Sequence, residues 1–206
     1  MLVAEMAGLK QTNLKRLFAY SSLGQVALIF TAFAMQNEEA VQAALFIVIA
    51  HSIAKFILFL ALTSIEKEHK SMHIDTLKML NSPFLRAIML IAMLSLLGIP
   101  LFAGFIGKFL ALKSVAVEGM FVVLSIIVLA SLIEAVYYFK LVGFMFSKGE
   151  KKEPLKISVR QKTVFTLLAF SLILIGVAPM TISNFLLDAG SMMLDGESYV
   201  TMLVGG

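Results

Sequence analysis

Residues 40–65 of this chain read AVQAALFIVIAHSIAKFILFLALTSI, and His51 and Lys55 near the centre are the titratable side chains of the run. A helix that crosses about 30 Å of hydrocarbon needs roughly 20 mostly apolar residues. The run meets that length, and it is too continuously apolar for the alternating strands of a membrane β-barrel. It therefore predicts a transmembrane helix over residues 40–65.

The rest of the chain has the same character. Of its 206 residues 60% are hydrophobic, 15% are charged, and the mean hydropathy is +0.95, whereas a soluble domain is about 45–50% apolar. Because backbone groups in lipid must be hydrogen-bonded internally, we predict an all-α integral membrane protein with about six transmembrane helices. The predicted organisation is an N-terminal segment 1–16, a bundle 17–181 with spans at 17–35, 40–65, 84–98, 101–117, 119–146 and 163–178, and a C-terminal tail 182–206.

The stretch 84–117 is too long for one crossing and short for two. Pro100 stands in its middle, two residues after Gly98, and a proline breaks or turns a helix because it removes a backbone donor and clashes with the preceding turn. We therefore predict two short spans here, with a single broken helix, and five spans in all, as the alternative. Gly104 and Gly107 weaken the second short span further.

The charged residues and the lack of cysteine limit the possible classes of function. The net charge is +4, but the lysines and arginines are concentrated between the apolar runs, as in the basic loop 147–162, which favours membrane topology over nucleic-acid binding. They divide almost evenly between the two sides, so the orientation stays open. The absence of cysteine excludes thiolate catalysis, disulfides and iron–sulfur clusters in this chain. We expect no cofactor and no metal here, with His69 and His73 solvated, and no catalytic residues of its own.

Ionisable side chains inside the predicted spans are the strongest indication of function, since a lysine or aspartate at a helix centre costs roughly 2.5 to 3.5 kcal/mol to insert. His51 and Lys55 are one helical turn apart and so lie on one face. They fit a hydrated line along which a proton passes. The alternative is a buried pair bonded to carbonyl groups or to a carboxylate on another helix.

Three further polar residues lie at a similar depth. Lys108 follows Gly104 and Gly107, a pattern typical of a locally broken helix that lines a cavity, although such glycines also serve close helix packing. Glu134 either carries protons or pairs with a lysine, Lys55 or Lys108. Gln25 either orders a chain of water or bonds between helices. Together these residues indicate one polar layer through the middle of the bundle.

Three segments carry a resemblance to a known family. They read LKRLFAYSS at 14–22, AHSIAK at 50–55 and GIPLFAGFIGK at 98–108. Their order and spacing resemble the proton-conducting membrane transporter family, and the resemblance covers about residues 9–180. Members of the family are the antiporter-like subunits of respiratory complex I, of membrane-bound hydrogenases and sulfur reductases, and of multisubunit sodium/proton antiporters.

The resemblance implies a particular architecture. Family members contain two inverted five-helix repeats, each with a broken helix and a half-channel, and this chain resembles the second repeat plus one further helix. His51 and Lys55 then fall on the helix that feeds the central polar axis, and Lys108 falls on the broken helix. Gln25 stands where some members carry a histidine, and an amide does not titrate. The first repeat and its Glu–Lys pair have no counterpart, and Met1 suggests a short or split subunit.

We therefore expect an antiporter-like subunit that contributes a proton or sodium half-channel to a multisubunit energy-converting redox complex. Its expected partners are other membrane subunits, including full-length antiporter-like ones, together with the lipid bilayer of a prokaryotic inner or plasma membrane. The alternative is a structural remnant that fills the membrane arm with its charges paired.

Overall fold

The computed structural model describes residues 1–147, 154–155 and 157–195, so part of the basic loop (148–153 and 156) and the end of the predicted tail (196–206) lie outside the described residues. Within the described ranges every regular element is helical, which confirms the predicted all-α fold. The elements are α1 (Leu2–Leu9), α2 (Leu14–Ala34), α3 (Glu38–His69), a 3₁₀ helix (Ile74–Met79), α4 (Pro83–Leu97), α5 (Ala103–Val117), α6 (Phe121–Phe146), α7 (Val159–Val177) and α8 (Met180–Leu194).

Four of these helices, α2, α3, α6 and α7, are long and apolar enough to cross a membrane. The other two predicted crossings correspond to α4 and α5, which have 15 residues each and are shorter than the roughly 20 residues of a full crossing. The long helix α3 lies centrally, with α2, α4, α5, α7 and α8 all packed against it.

Some helices extend beyond the apolar runs that predicted them. Asn13 begins α2 because its side chain accepts hydrogen bonds from the backbone N–H groups of Lys15 and Arg16, a favoured arrangement at a helix start. At the other end of α3 the helix continues through charged residues to His69. Hydrophobicity marks where lipid ends, whereas capping decides where the helix ends, so the two boundaries differ.

Three segments that were predicted as terminal or loop segments contain helices. Helix α1 lies in the N-terminal segment and packs against α2 and α6. The segment 66–82, which connects the predicted spans 40–65 and 84–98, contains the 3₁₀ helix, in which Ile74 and Leu77 are buried. Helix α8 begins two residues before the predicted tail and lies mostly within it. It packs against α3, where the Gln42 amide donates to the backbone oxygen of Ser183 over 2.9 Å. These helices are short or mixed in polarity, so length and hydropathy alone did not reveal them.

His73 lies on the surface in segment 66–82, where its Nδ1 is 3.0 Å from the carboxylate of Asp75. The same carboxylate pairs with Lys78, and this hydrogen bond is the main reason that the pKa of Asp75 lies below its ordinary value. Among the described residues no group of three or more histidines, aspartates or glutamates is placed to hold a metal ion.

The helical structure is interrupted between α4 and α5, around Pro100, where the sequence predicted a break. Gly98 ends α4 in the left-handed region with φ 76°, and its N–H bonds back to the last turn of the helix. Leu101 also has a positive φ, of 80°. A residue with a side chain is strained there by about 1–3 kcal/mol, so the break stores strain at Leu101.

Replacement of Leu101 by glycine is expected to raise stability by about 1 kcal/mol, because glycine adopts positive φ without strain. The Leu101 side chain is 66% exposed, so little packing is lost. Thermal unfolding in detergent or nanodiscs measures the effect. Leu132→Gly is the control, since Leu132 is exposed within α6 and glycine in a helix costs about 1 kcal/mol. If both variants lose stability alike, Leu101 is not strained.

Candidate functional site

Lys55 lies inside the bundle, with 6% of its surface exposed. Its Nζ donates to the backbone oxygen of Phe18 over 2.9 Å and to Ser21 Oγ over 2.8 Å, and it lies 3.4 Å from the hydroxyl of Tyr138. These acceptors are all neutral. The predicted alternative of bonding to carbonyl groups therefore describes part of the arrangement, and two hydroxyl groups complete it.

Ser21 and Tyr138 form the next step of this network. Their hydroxyl oxygens are 2.8 Å apart, and either can donate. A hydroxyl both donates and accepts, so this pair can reverse the direction of its hydrogen bond. Ser21 was not predicted as a site residue because a serine in a span carries no charge that sets it apart.

Lys108, Glu134 and Gln25 form a second cluster. Lys108 Nζ is 2.7 Å from Glu134 Oε2, and Gln25 Nε2 donates to both carboxylate oxygens over 2.8 and 2.9 Å. Lys108 is 7% exposed and Glu134 1%. Of the two lysines considered as partners of Glu134, the ion pair is formed by Lys108. Gln25 thus bonds between α2 and α6.

His51 lines a small cavity beside the Lys108 cluster. The cavity measures about 10 Å³ and is bordered by Gln25, Ser95, Gly104 and Lys108 as well as His51. That is close to the space that one water molecule needs. His51 Nδ1 is buried and, within the described part of the chain, has no hydrogen-bond partner. His51 therefore faces the cavity shared with Lys108 rather than bonding to Lys55.

The glycines at the break position Lys108. A Cβ at Gly98 would lie 2.9 Å from Lys108 Cδ, so the stem of the lysine passes directly over this glycine. The Gly104 N–H donates to Ser95 Oγ over 3.2 Å. A Cβ at Gly107 would lie 2.9 Å from the backbone nitrogen of Ile47. These close approaches fix α5 against α4 and α3.

Glu5 is a buried carboxylate that the sequence did not single out. It lies on α1 with 1% of its surface exposed, and Tyr137 donates its hydroxyl to Glu5 Oε2 over 2.7 Å. Its segment is too short to span a membrane, so the cost of inserting a charge in lipid did not apply to it. The pattern of apolar residues in 2–9 also gives no indication that Glu5 belongs to a site.

These features together define a polytopic membrane protein of the antiporter-like class, with paired and hydroxyl-bonded lysines inside a helical bundle that contains a break. The chain belongs to the family described as NADH:quinone oxidoreductase/Mrp antiporter, transmembrane, which matches residues 1–134. The predicted resemblance is thereby confirmed.

Relatives and solved structures agree with this family. The chain is 29% identical to NADH-quinone oxidoreductase subunit N of Protochlamydia amoebophila over 87% of its own length and 38% of the relative's. It resembles a chain of the archaeal membrane-bound sulfane sulfur reductase with 33% identity and a TM-score of 0.91, over 97% of this chain and 41% of that one. A chain of respiratory complex I from Thermus thermophilus matches with 28% identity and a TM-score of 0.75, over 88% and 42%.

The chain thus spans about two fifths of the length of these proteins. Its apolar helices and its bacterial relatives identify it as a multi-pass protein of the prokaryotic cell membrane, as predicted.

Proposed function

We propose that this chain contributes a half-channel for protons or sodium ions to a multisubunit redox complex of the membrane. The observation that carries the proposal is the pair of buried polar clusters on four helices, one of which contains Lys55 and the other Lys108. Ionisable groups inside membrane bundles commonly mark ion pathways. The similar chains of known structure belong to respiratory membrane complexes, which supports partner subunits of the same kind.

In the proposed mechanism the two lysines interact electrostatically, so that the protonation state of one influences the protonation state of the other. Like charges 4 Å apart at an effective dielectric near 20 repel by about 4 kcal/mol, and by less at longer range. Protonation of one lysine therefore disfavours charge on the other. The Ser21 and Tyr138 hydroxyls accept hydrogen bonds from Lys55. The cavity at His51, which Lys108 and Gln25 also border, offers room for about one water molecule beside the Lys108 cluster.

Lys55→Ala and Lys108→Ala are expected to abolish coupled ion transport, because each removes one of the two interacting lysine charges. The measurement is ion uptake by membrane vesicles that contain the intact complex, driven by its own electron donor and normalised to assembled complex on native gels. Lys113→Ala is the matched control, since Lys113 lies on α5 like Lys108 but forms an exposed pair with Glu39. Transport at the normal rate in both test variants would contradict the proposal.

A structural role is the second candidate, and the Lys108–Glu134 pair favours it. With Gln25 on both carboxylate oxygens, the charges are well satisfied without any transport. This role predicts that the same variants reduce assembly or heat resistance while transport per assembled complex stays normal.

The partner subunits themselves can be tested first. Gentle purification of the tagged chain from its native membrane, followed by mass spectrometry, is expected to recover full-length antiporter-like subunits and a hydrophilic redox arm. Recovery of the chain alone, or as a homo-oligomer, would contradict a role within a complex.

A further inference from the structure

Helix α1 directs one acidic side chain into the bundle. Glu5 is the titratable residue of this helix, and it is almost fully buried, whereas Val3 and Met6 beside it face outward. The helix packs against α2 and α6. The carboxylate therefore lies in the contact between three helices.

A glycine on α2 makes room for this carboxylate. A Cβ at Gly24 would overlap Glu5 Oε1 and lie 2.6 Å from Glu5 Cδ. The next residue, Gln25, donates to Glu134. Glu5 thus lies against the α2 backbone immediately beside the Lys108 cluster.

On its other side Glu5 meets the tyrosines of α6. Tyr137 donates to it, and the ring of Tyr137 lies 4.8 Å, centre to centre, from that of Tyr138. The Tyr138 hydroxyl in turn contacts Ser21 and Lys55. Glu5 is therefore adjacent to both polar clusters of the bundle.

A structural anchor does not need an ionisable group at this place. Burying a carboxylate costs several kcal/mol, and a glutamine would accept the same hydrogen bond from Tyr137 without carrying a charge. The titratable groups that face Glu5 are Tyr137 and Glu134 from α6, with Lys55 of α3 and Lys108 of α5 beyond them, while α2 presents Gly24. The protonation of a carboxyl group at this place therefore depends on the charge of each of these neighbouring groups.

We propose that Glu5 is a further proton-accepting residue, through which a proton reaches or leaves the polar network at the α1 edge of the bundle. Protonation adds one proton to a carboxylate oxygen, so that Glu5 gains an O–H donor while its other oxygen can still accept from the Tyr137 hydroxyl. The inference rests on the proposed ion transport for its role, while proton uptake by Glu5 can be measured separately.

Glu5→Gln preserves the shape and the bond from Tyr137 but cannot take up a proton. In the purified intact complex we expect the infrared difference spectrum between acidic and alkaline pH to lose one carboxyl band. Proton transport in vesicles is expected to fall roughly 100-fold, the lower end of the 10²- to 10⁴-fold that positioned acid–base groups contribute. Thermal unfolding should be unchanged, and Glu5→Asp should restore part of the transport.

An unchanged spectrum or an unchanged transport rate in Glu5→Gln would overturn the inference. If that occurs while Lys55→Ala still stops transport, the proposed function stands and only the role of Glu5 fails. Tyr137→Phe provides a second test that keeps the carboxyl group. It is expected to shift the band rather than remove it, and a band that neither variant alters does not belong to Glu5.

Discussion

Glu134→Ala is expected to destabilise the protein by about 3–5 kcal/mol, the usual cost of removing one partner from a buried ion pair. The change leaves Lys108 charged and almost fully buried without its counter-charge, and it also removes the acceptor of the Gln25 amide. Denaturant unfolding in micelles or nanodiscs measures this loss.

Two controls separate the ion pair from simple packing. The double variant Glu134→Leu with Lys108→Met replaces both charges by apolar groups of similar size, which is often close to neutral for stability. Glu39→Ala breaks the exposed pair with Lys113 and is expected to cost about 0–1 kcal/mol. If Glu134→Ala costs no more than Glu39→Ala, the buried pair does not stabilise the bundle.

Gly104→Ala is expected to be comparably damaging, at about 3 kcal/mol. The added Cβ would overlap the backbone oxygen of Ser95 and lie 2.8 Å from its carbonyl carbon. A backbone atom cannot move aside as a flexible side chain can, so α4 and α5 must separate, and overpacking of this kind costs about 1–3 kcal/mol or more.

Gly143→Ala is the matched control for this substitution. Gly143 lies within α6, and among the described residues a Cβ built on it would meet nothing within 4 Å apart from its chain neighbours and the nearby backbone of its own helix. Alanine there is expected to add about 0.5–1 kcal/mol of stability, because glycine weakens a helix interior. Equal effects of the two substitutions on thermal unfolding would contradict the tight contact at Gly104.

Much of the site followed from the cost of placing charge in lipid. Lys55, Lys108 and Glu134 stand out in their spans for this reason, and Pro100 marked the break. The sequence did not predict which lysine pairs with Glu134, because the pairing depends on how each helix is rotated about its axis. Lys55 and Lys108 were equal candidates for Glu134 in the sequence, and only the packed bundle places Lys108 beside it.

The remaining site residues have no comparable signal. Ser21 and Tyr138 carry hydroxyl groups, which a span tolerates at little cost and which therefore occur in many places without a role. Glu5 is charged, but it lies in a segment too short to be judged by the rules for a crossing. Its importance comes from Gly24 and Tyr137, which are distant from it in the chain.

The two glycine contacts of α5 also limit the kind of motion that is available at Lys108. Gly104 lies against α4 and Gly107 against α3, three residues apart, so a slide or rotation of α5 would have to displace both neighbours. Collective helix movements of that kind take microseconds to milliseconds, whereas rotamer changes of free side chains take picoseconds to nanoseconds. Charge displacement at Lys108 is therefore expected through motion of its own side chain, with the backbone of α5 at rest.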